Sequence, residues 1–164
     1  MKKGTGDFFQ KETQYIRGKI GGGPLLWQAK PKTYKHYPKA PKYKLKVPQK
    51  EGGMPLWEAI NLRHSFRNFK DQPMKKDIFS QLLWATQGIT HESMGFEFRA
   101  APSAGALYPV ETYLALHNVE EFESGIYHYG VQNHEIEQLK KGDFREAAAR
   151  AALDQDLAYS ASVV

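Results

Sequence analysis

Two segments of the chain concentrate residue types that bind small charged ligands. The first, RHSFRNF, places Arg63, Ser65 and Arg67 at alternating positions. His64 and Phe66 stand between them. In an extended backbone the two guanidinium groups and the hydroxyl would share one side. Guanidinium groups make strong, charge-assisted hydrogen bonds with phosphates and carboxylates, so this segment predicts a site for an anion.

Arg63 on its own also has a purely structural interpretation. An amphipathic helix is predicted to start at Pro55, with Leu56, Trp57, Ile60 and Arg63 at the spacings of one helical face. A cation in the last turn is stabilised by the helix dipole, by about 0.3–1 kcal/mol at a surface. That would explain one arginine, but the serine and second arginine that follow in alternation favour ligand binding.

The second segment, residues 99–117, combines a run of small residues with an apolar stretch. Its candidate ligand-facing residues are Pro102, Ser103, Ala104 and Gly105. They have so little side-chain bulk that a flat ligand could meet the backbone N–H groups directly, and Ser103 adds a hydroxyl. The β-branched, aromatic and aliphatic residues from 110 to 116 predict a half-buried strand that holds the loop.

Other catalytic chemistries have little support in the sequence. The chain has no cysteine, which excludes disulfides, thiolate nucleophiles and cysteine metal sites. The six histidines lack the short spacings of metal ligands, and neither Ser65 nor Ser103 lies in a nucleophile-elbow motif. His128 and His134 would face each other across a predicted hairpin, where we expect both to be exposed. We therefore predict no metal site and no catalytic side chain.

Length and hydropathy predict one soluble domain. With 164 residues, 41% of them hydrophobic, the chain can bury the core of a single domain. The first residues are followed by no apolar signal region, and no run of about 18 apolar residues occurs. We expect a cytoplasmic protein that binds no membrane.

A basic N-terminal arm is predicted over residues 1–53, before a compact domain over residues 54–164. Although the net charge is only +5, residues 13–50 contain ten lysines and arginines and no acidic residue. Frequent prolines favour an extended arm, and GGGP at 21–24 predicts a flexible break. Lysines and tyrosines together could bind nucleic acid, or the tyrosines could anchor the arm on its own domain or a partner. The second interpretation is favoured because arginine is nearly absent and no nucleic-acid motif accompanies the arm.

Periodic patterns predict the elements around these segments. A helix is expected over 75–87, ended by Gly88, and a loop that could overhang a pocket or be a surface turn over 90–98. An antiparallel hairpin is predicted over 125–139 and a helix over 143–153. Residues 160–164 are typical of the start of a strand.

The order of these motifs resembles the nitroreductase-like flavoproteins, and most closely their SagB-type dehydrogenase branch. The resemblance runs from about Trp57 to the C-terminus through RHSFRNF, QLLWATQGIT, PSAGALYPVE and GIYHY, of which PSAGALYPVE is the most specific. It implies an α+β fold, a mixed or antiparallel sheet flanked by helices, with FMN bound at the interface of a homodimer. NAD(P)H would be the electron donor and a small molecule the substrate.

The resemblance also implies roles for individual residues. Arg63, His64, Ser65 and Arg67 match the flavin motif of the family, and Pro102, Ser103, Ala104 and Gly105 would line the isoalloxazine ring. Two guanidinium groups suit an FMN phosphate, which carries about two negative charges. A cation near the pyrimidine edge would raise the flavin reduction potential, and we assign that second role to Arg67.

The resemblance covers only the N-terminal portion of the family domain. Family members continue through further strands, a long dimer-forming helix and a C-terminal cationic phosphate contact, so we expect an incomplete fold and a fragment of a longer protein. The leading hypothesis is an FMN-dependent oxidoreductase that transfers two electrons. The alternative is a noncatalytic remnant or interaction module that keeps the arm and sheet without holding FMN tightly.

Overall fold

The computed structural model describes residues 4–19, 28 and 31–164, which fall into two compact units, Met1–Pro31 and Lys32–Val164. The described part of the first unit contains helix α1 (Thr5–Thr13). At its start, the N–H of Gly4 donates to the Asp7 carboxylate over 2.9 Å. The flexible break predicted at 21–24 lies outside the described residues.

The second unit combines helices with antiparallel strands, which confirms the predicted α+β class. In chain order its elements are β1 (Lys42–Lys44), α2 (Leu56–Leu62), α3 (Lys76–Gln87), β2 (Ile89–Ser93), β3 (Phe96–Arg99), β4 (Tyr113–Leu116), β5 (Gly125–Gly130), β6 (Glu135–Lys141), α4 (Arg145–Ala151) and α5 (Asp156–Ser160). One sheet has the order β1-β6-β5-β4, and β2 and β3 form a separate hairpin. Val164 pairs with Ala115 beside β4, through hydrogen bonds of 2.8 and 3.0 Å.

The core lies between α3 and one face of the four-stranded sheet. Because side chains alternate along a strand, Leu114 and Leu116 share this face, and they pack with Tyr127, Tyr129 and Ile136 of the next two strands. The helix contributes Phe79 and Leu83, which are 1% and 4% exposed. Periodicity predicted α3 and the β5–β6 hairpin correctly.

A glycine is required where α3 passes into β2. A Cβ added at Gly88 would come within 2.2 Å of the Trp84 ring and 2.6 Å of its carbonyl oxygen. The N–H of Gly88 donates to that carbonyl over 2.7 Å, and its own carbonyl accepts the N–H of Ala100. The region 90–98, predicted as a loop, is instead the β2–β3 hairpin, paired from Ile89 to Arg99.

The opposite face of the sheet carries a row of charged and polar side chains across all four strands. The register aligns Lys42 with Glu137, Glu137 with His128, and His128 with Tyr113. His128 is 1% exposed, and His134 is half-buried. The prediction that these two histidines are exposed is therefore wrong, because the buried carboxylate of Glu137 compensates the burial of His128.

Part of the basic arm packs on this sheet. β1 extends the sheet by pairing with β6, and Leu45 joins the core. Tyr37 lies over His128 with 5.2 Å between ring centroids. Residues 34–45 of the arm thus pack on the domain, with tyrosines as anchors, while the boundary at residue 54 and the absence of nucleic-acid binding stay predictions.

Helix α2 and the segment after it are the most exposed part of the second unit. Trp57 is 80% exposed and Leu56 67%, and residues 60–70 are all exposed. The amphipathic helix predicted here is present, but its apolar face is uncovered in the part of the chain that the structure describes. No helix among residues 4–19, 28 and 31–164 has the length and apolar character needed to cross a bilayer.

Candidate functional site

The loop between β3 and β4 presents its main chain to the surface. Pro102, Ala104 and Gly105 are exposed, whereas Ser103 is half-buried. The backbone is left-handed at Gly105, with φ 63°, and also at Ala106 and Tyr108, with φ 51° and 44°. Side chains other than glycine rarely adopt this conformation, which costs of order 1–3 kcal/mol per residue. The surrounding contacts must therefore hold the loop in place.

Tyr108 provides two of these contacts. Its N–H donates to the Ser103 hydroxyl oxygen over 2.8 Å, and its hydroxyl accepts the N–H of Arg99 over 3.0 Å. Tyr108 is 7% exposed, and its hydrogen bond with Arg99 is buried, whereas its bond with Ser103 is partly buried. They close residues 99–108 into a compact turn whose small residues remain outside. The Ser103 hydroxyl keeps its hydrogen available to a ligand.

Arg99 lies at the start of this loop with an unusual set of neighbours. Its guanidinium stacks on the rings of Tyr34 and Tyr108, at 5.0 and 4.6 Å from their centroids. One terminal nitrogen donates to the carbonyl of Thr33 over 3.0 Å. Arg99 is 6% exposed and forms no ion pair with any described residue, so the two aromatic faces are its main electrostatic partners.

A buried carboxylate–imidazole–carboxylate cluster holds the other end of the loop. The two ring nitrogens of His128 lie 2.8 Å from carboxylate oxygens of Glu111 and Glu137. Burial alone would raise the pKa of Glu137, but hydrogen bonds from His128, the Tyr37 N–H and Lys42 hold that pKa below its usual value. Because Glu111 directly precedes the last residues of the loop, the cluster ties the loop to the middle of the sheet.

Three residues form a hydrogen-bonded group above this cluster. The ammonium of Lys35 donates to the Tyr113 hydroxyl over 2.7 Å, and the hydroxyls of Tyr37 and Tyr113 are 2.8 Å apart. Hydrogen bonds with Tyr113 and Tyr37 raise the pKa of Lys35. The hydrogen bonds from Tyr113 and Lys35 lower the pKa of Tyr37. This group connects the arm to the first residue of β4.

The other half of the predicted site follows α2. The N–H of Arg63 closes the helix by donating to Ala59 over 3.0 Å, and Nδ1 of His64 lies 2.9 Å from the carbonyl of Leu62. The side chains of Arg63, Ser65 and Arg67 are exposed and form no hydrogen bond or ion pair with other described residues. The exposed guanidinium of Arg63 stands at the C-terminal end of α2, so the dipole role expected for this cation stays a prediction beside ligand binding.

No hydrogen bond or ion pair among the described residues joins the two halves of the predicted site. Four cavities lie along α3, beside residues 37–41, near Asn118 and Arg145, and at the β2–β3 turn. None of these four is lined by any of the eight predicted cofactor-binding residues. Their convergence on one ligand therefore stays a prediction.

Sequence reasoning missed the residues that hold the loop. These residues are Arg99, Tyr108, Glu111 and His128. Arg99 has partners in the arm, and His128 has partners in the arm and on β6, both distant in sequence. One signal was available, since His128 and Glu137 lie on the two strands of a predicted hairpin. The 3₁₀ turn at Val131–Asn133 sets the register that brings them together.

A model described as the nitroreductase family matches residues 60–164, well over half of the chain. The chain belongs to the nitroreductase family. The match includes both halves of the predicted site, from Arg63 to Gly105. The wider resemblance is thus confirmed, and the assignment to the SagB-type branch stays a prediction.

Curated and solved relatives agree with the family. A provisionally named nitroreductase of Methanocaldococcus jannaschii is 33% identical over 109 residues, which are 66% of this chain and 54% of that protein. The chain thus spans about half the length of this curated relative.

Two crystal structures of proteins provisionally described as nitroreductases resemble the fold. The one from Anabaena variabilis has a TM-score of 0.67 and 24% identity. The matched region is 95% of this chain and 30% of the Anabaena chain. The one from Ralstonia eutropha has a TM-score of 0.55 and 32% identity. The matched region is 65% of this chain and 47% of the Ralstonia chain. The first comparison supports the fold alone.

Proposed function

We propose that this chain binds FMN and forms part of an FMN-dependent oxidoreductase of the SagB-type branch. When bound, FMN would supply the redox chemistry, a two-electron exchange between a nicotinamide donor, NAD(P)H, and an electron-poor small molecule. The role of the protein is to bind the cofactor, orient it and adjust its charge. We further propose that the assembled enzyme is a cytoplasmic homodimer.

The donor groups of the chain suit a planar, phosphorylated ligand. Arg63 and Arg67 would neutralise the phosphate, with Ser65 and His64 adding hydrogen bonds. Pro102, Ser103, Ala104 and Gly105 would lie against the ring, because no bulky side chain separates a ligand from their main chain. None of these eight residues forms an ion pair with another described residue, so FMN binding would break no existing ion pair among them.

One observation carries the proposal: the exposed turn at residues 102–105 is followed by two strained, left-handed residues, Ala106 and Tyr108, and the hydrogen bonds of Tyr108 hold the turn in place. A surface loop of small residues gains nothing from such strain unless its shape serves a ligand. In a member of the nitroreductase family, this favours the flavin ring as that ligand.

Cofactor binding can be tested on the purified chain. We expect flavin absorbance in stoichiometric amount, or quenching of FMN fluorescence when FMN is added to colourless protein. Riboflavin, which lacks the phosphate, should bind at least about tenfold more weakly if the guanidinium groups contact the phosphate. Colourless protein that quenches neither flavin would refute the proposal and favour the noncatalytic interaction module.

The second role of Arg67 has a separate test. Arg67→Ala should weaken FMN binding and also lower the reduction potential of the bound flavin, because a cation near the ring stabilises the reduced, negatively charged form. The potential is measured by equilibration with a reference dye. Arg150→Ala, at a 71% exposed side chain on α4, is the matched control. Weaker binding with an unchanged potential would limit Arg67 to the phosphate.

A further inference from the structure

We propose that residues 33–37, which we call the anchor segment, hold both ends of the 99–113 loop and thereby set how tightly the chain binds flavin. The statement about affinity rests on the proposed function. The statement about the loop does not, because it concerns contacts within the flavin-free chain. The anchor segment is far from the loop in sequence and belongs to the arm.

At the start of the loop, the anchor segment surrounds Arg99. The carbonyl of Thr33 accepts a hydrogen bond from its guanidinium, and the Tyr34 ring covers one face of that group. The ring of Tyr108, which closes the loop, lies 4.6 Å from the same guanidinium. A continuous series of contacts therefore runs from Tyr34 through Arg99 to Tyr108.

Tyr34 is fixed by a hydrogen bond of its own. Its hydroxyl donates to the carboxylate of Glu97, two residues before Arg99 on β3. Burial, together with this hydrogen bond, raises the pKa of Tyr34 to about 12, so the phenol remains a hydrogen-bond donor to Glu97 well above neutral pH. The tyrosine thus holds both the strand that leads into the loop and the cation at its first residue.

At the end of the loop, the anchor segment reaches Tyr113 and Glu137. Lys35 and Tyr37 bind the Tyr113 hydroxyl, as described above. The N–H of Tyr37 also donates to both carboxylate oxygens of Glu137, over 3.1 and 3.2 Å. Glu137 is connected through His128 to Glu111, so the segment contacts this end of the loop both directly and through the buried cluster.

These contacts matter for binding because the loop is strained between them. Residues 105, 106 and 108 all have left-handed backbones, and a loop released at either end would populate relaxed conformations instead. When only a fraction of molecules has the competent conformation, the apparent affinity falls by that fraction. Loss of the anchor should therefore weaken flavin binding without removing any group that touches flavin.

The test uses Tyr34→Ala, with Tyr15→Ala as a matched control at an 85% exposed tyrosine. Amide hydrogen exchange of the flavin-free chain reports loop order, and FMN fluorescence titration reports affinity. Tyr34→Ala should raise exchange rates at residues 100–108 by about tenfold and the FMN dissociation constant by a similar factor. Exchange in α3 should not change, and Tyr15→Ala should match the wild type. Tyr34→Phe keeps the ring over Arg99 and should have a smaller effect.

The outcomes separate the two proposals. Unchanged exchange in Tyr34→Ala would overturn the anchor, and faster exchange with unchanged affinity would overturn the statement that the anchor sets flavin affinity. A wild-type chain that binds no FMN would overturn the proposed function and the statement about affinity, while the exchange data would still decide whether the segment holds the loop. If Tyr34→Ala does not fold, Tyr34→Phe and Arg99→Lys replace it in the test. The anchor then requires faster amide exchange at residues 100–108 in both variants.

Discussion

The loop after β3 and the segment after α2 carry the two halves of the candidate site, yet their environments differ sharply. The loop is closed by Tyr108 and tied at both ends to the arm and the sheet. The segment from Arg63 to Arg67 is exposed, and its guanidinium groups form no hydrogen bond or ion pair with other described residues. A preorganised surface binds without further ordering, whereas mobile side chains lose rotamer freedom when they bind. Substitutions in the first half should therefore reduce stability, and substitutions in the second should reduce affinity.

The largest effect is expected from Glu137→Ala, in the buried cluster that holds the loop. Removing this carboxylate leaves His128 and Lys42 without their shared partner, which should lower the free energy of unfolding by about 3–5 kcal/mol. Urea denaturation measures the change. Glu146→Ala, at a 76% exposed side chain paired with Arg150, should change stability by less than about 1 kcal/mol. Similar losses in both variants would contradict the cluster's structural role.

The next-largest effect is expected in the exposed segment from Arg63 to Arg67. The double variant Arg63→Ala/Arg67→Ala should weaken FMN binding by about 100-fold, since two charge-assisted interactions with the phosphate are lost. Its melting temperature should equal that of the wild type, because neither guanidinium has an intramolecular partner among the described residues. Calorimetry of binding and thermal unfolding give the two values. A marked loss of stability would show that the two halves are not as different as their environments indicate.

Tyr108→Phe, in the loop between β3 and β4, should lower the free energy of unfolding by an intermediate amount. The variant keeps the ring beneath Arg99 but removes the hydroxyl that accepts the Arg99 N–H, at a cost of about 1–3 kcal/mol for an unsatisfied buried donor. Tyr159→Phe, at a tyrosine that is 54% exposed, should be nearly neutral in the same urea titration. If Tyr108→Phe is equally neutral, another group must satisfy that N–H.

The smallest effect concerns the pH dependence of the sheet. Burial lowers the pKa of His134 below its ordinary value, so the unfolded chain binds this proton more readily than the folded one. Stability should thus fall as pH decreases from about 6.5 toward the folded pKa. Unfolding at pH 7.5 and 5.5 should show a larger difference for the wild type than for His134→Gln. His91→Gln, at an exposed histidine, should keep the wild-type difference.

The sequence predicted the parts of the fold that depend on neighbouring residues. Helix α3 and the β5–β6 hairpin follow from local periodicity, and the small-residue loop follows from its composition. The environment of His128 could not be predicted in this way. Its burial depends on Glu137 across the hairpin and on Tyr37, which contacts Glu137 over a separation of 100 residues.

The same limit applies to the candidate site. The types and spacing of Arg63, Ser65 and Arg67 indicate an anion site, but no local pattern shows which element they face. Arg99 illustrates the point, because a buried arginine without a carboxylate partner is unexpected from sequence. Its position is explained by contacts with Thr33 and Tyr34, both distant in sequence, and with Tyr108.

The short edge strand β1 has a consequence for solubility. A strand with an unpaired side offers its free N–H and C=O groups to other chains, and a long apolar edge invites fibril-like stacking. β1 has only three residues, and its two lysines pair with Glu135 and Glu137 of β6, so the strand is short and charged, which limits such stacking. Replacing Lys42 and Lys44 by valine would remove this protection and should make the chain aggregate more readily on concentration.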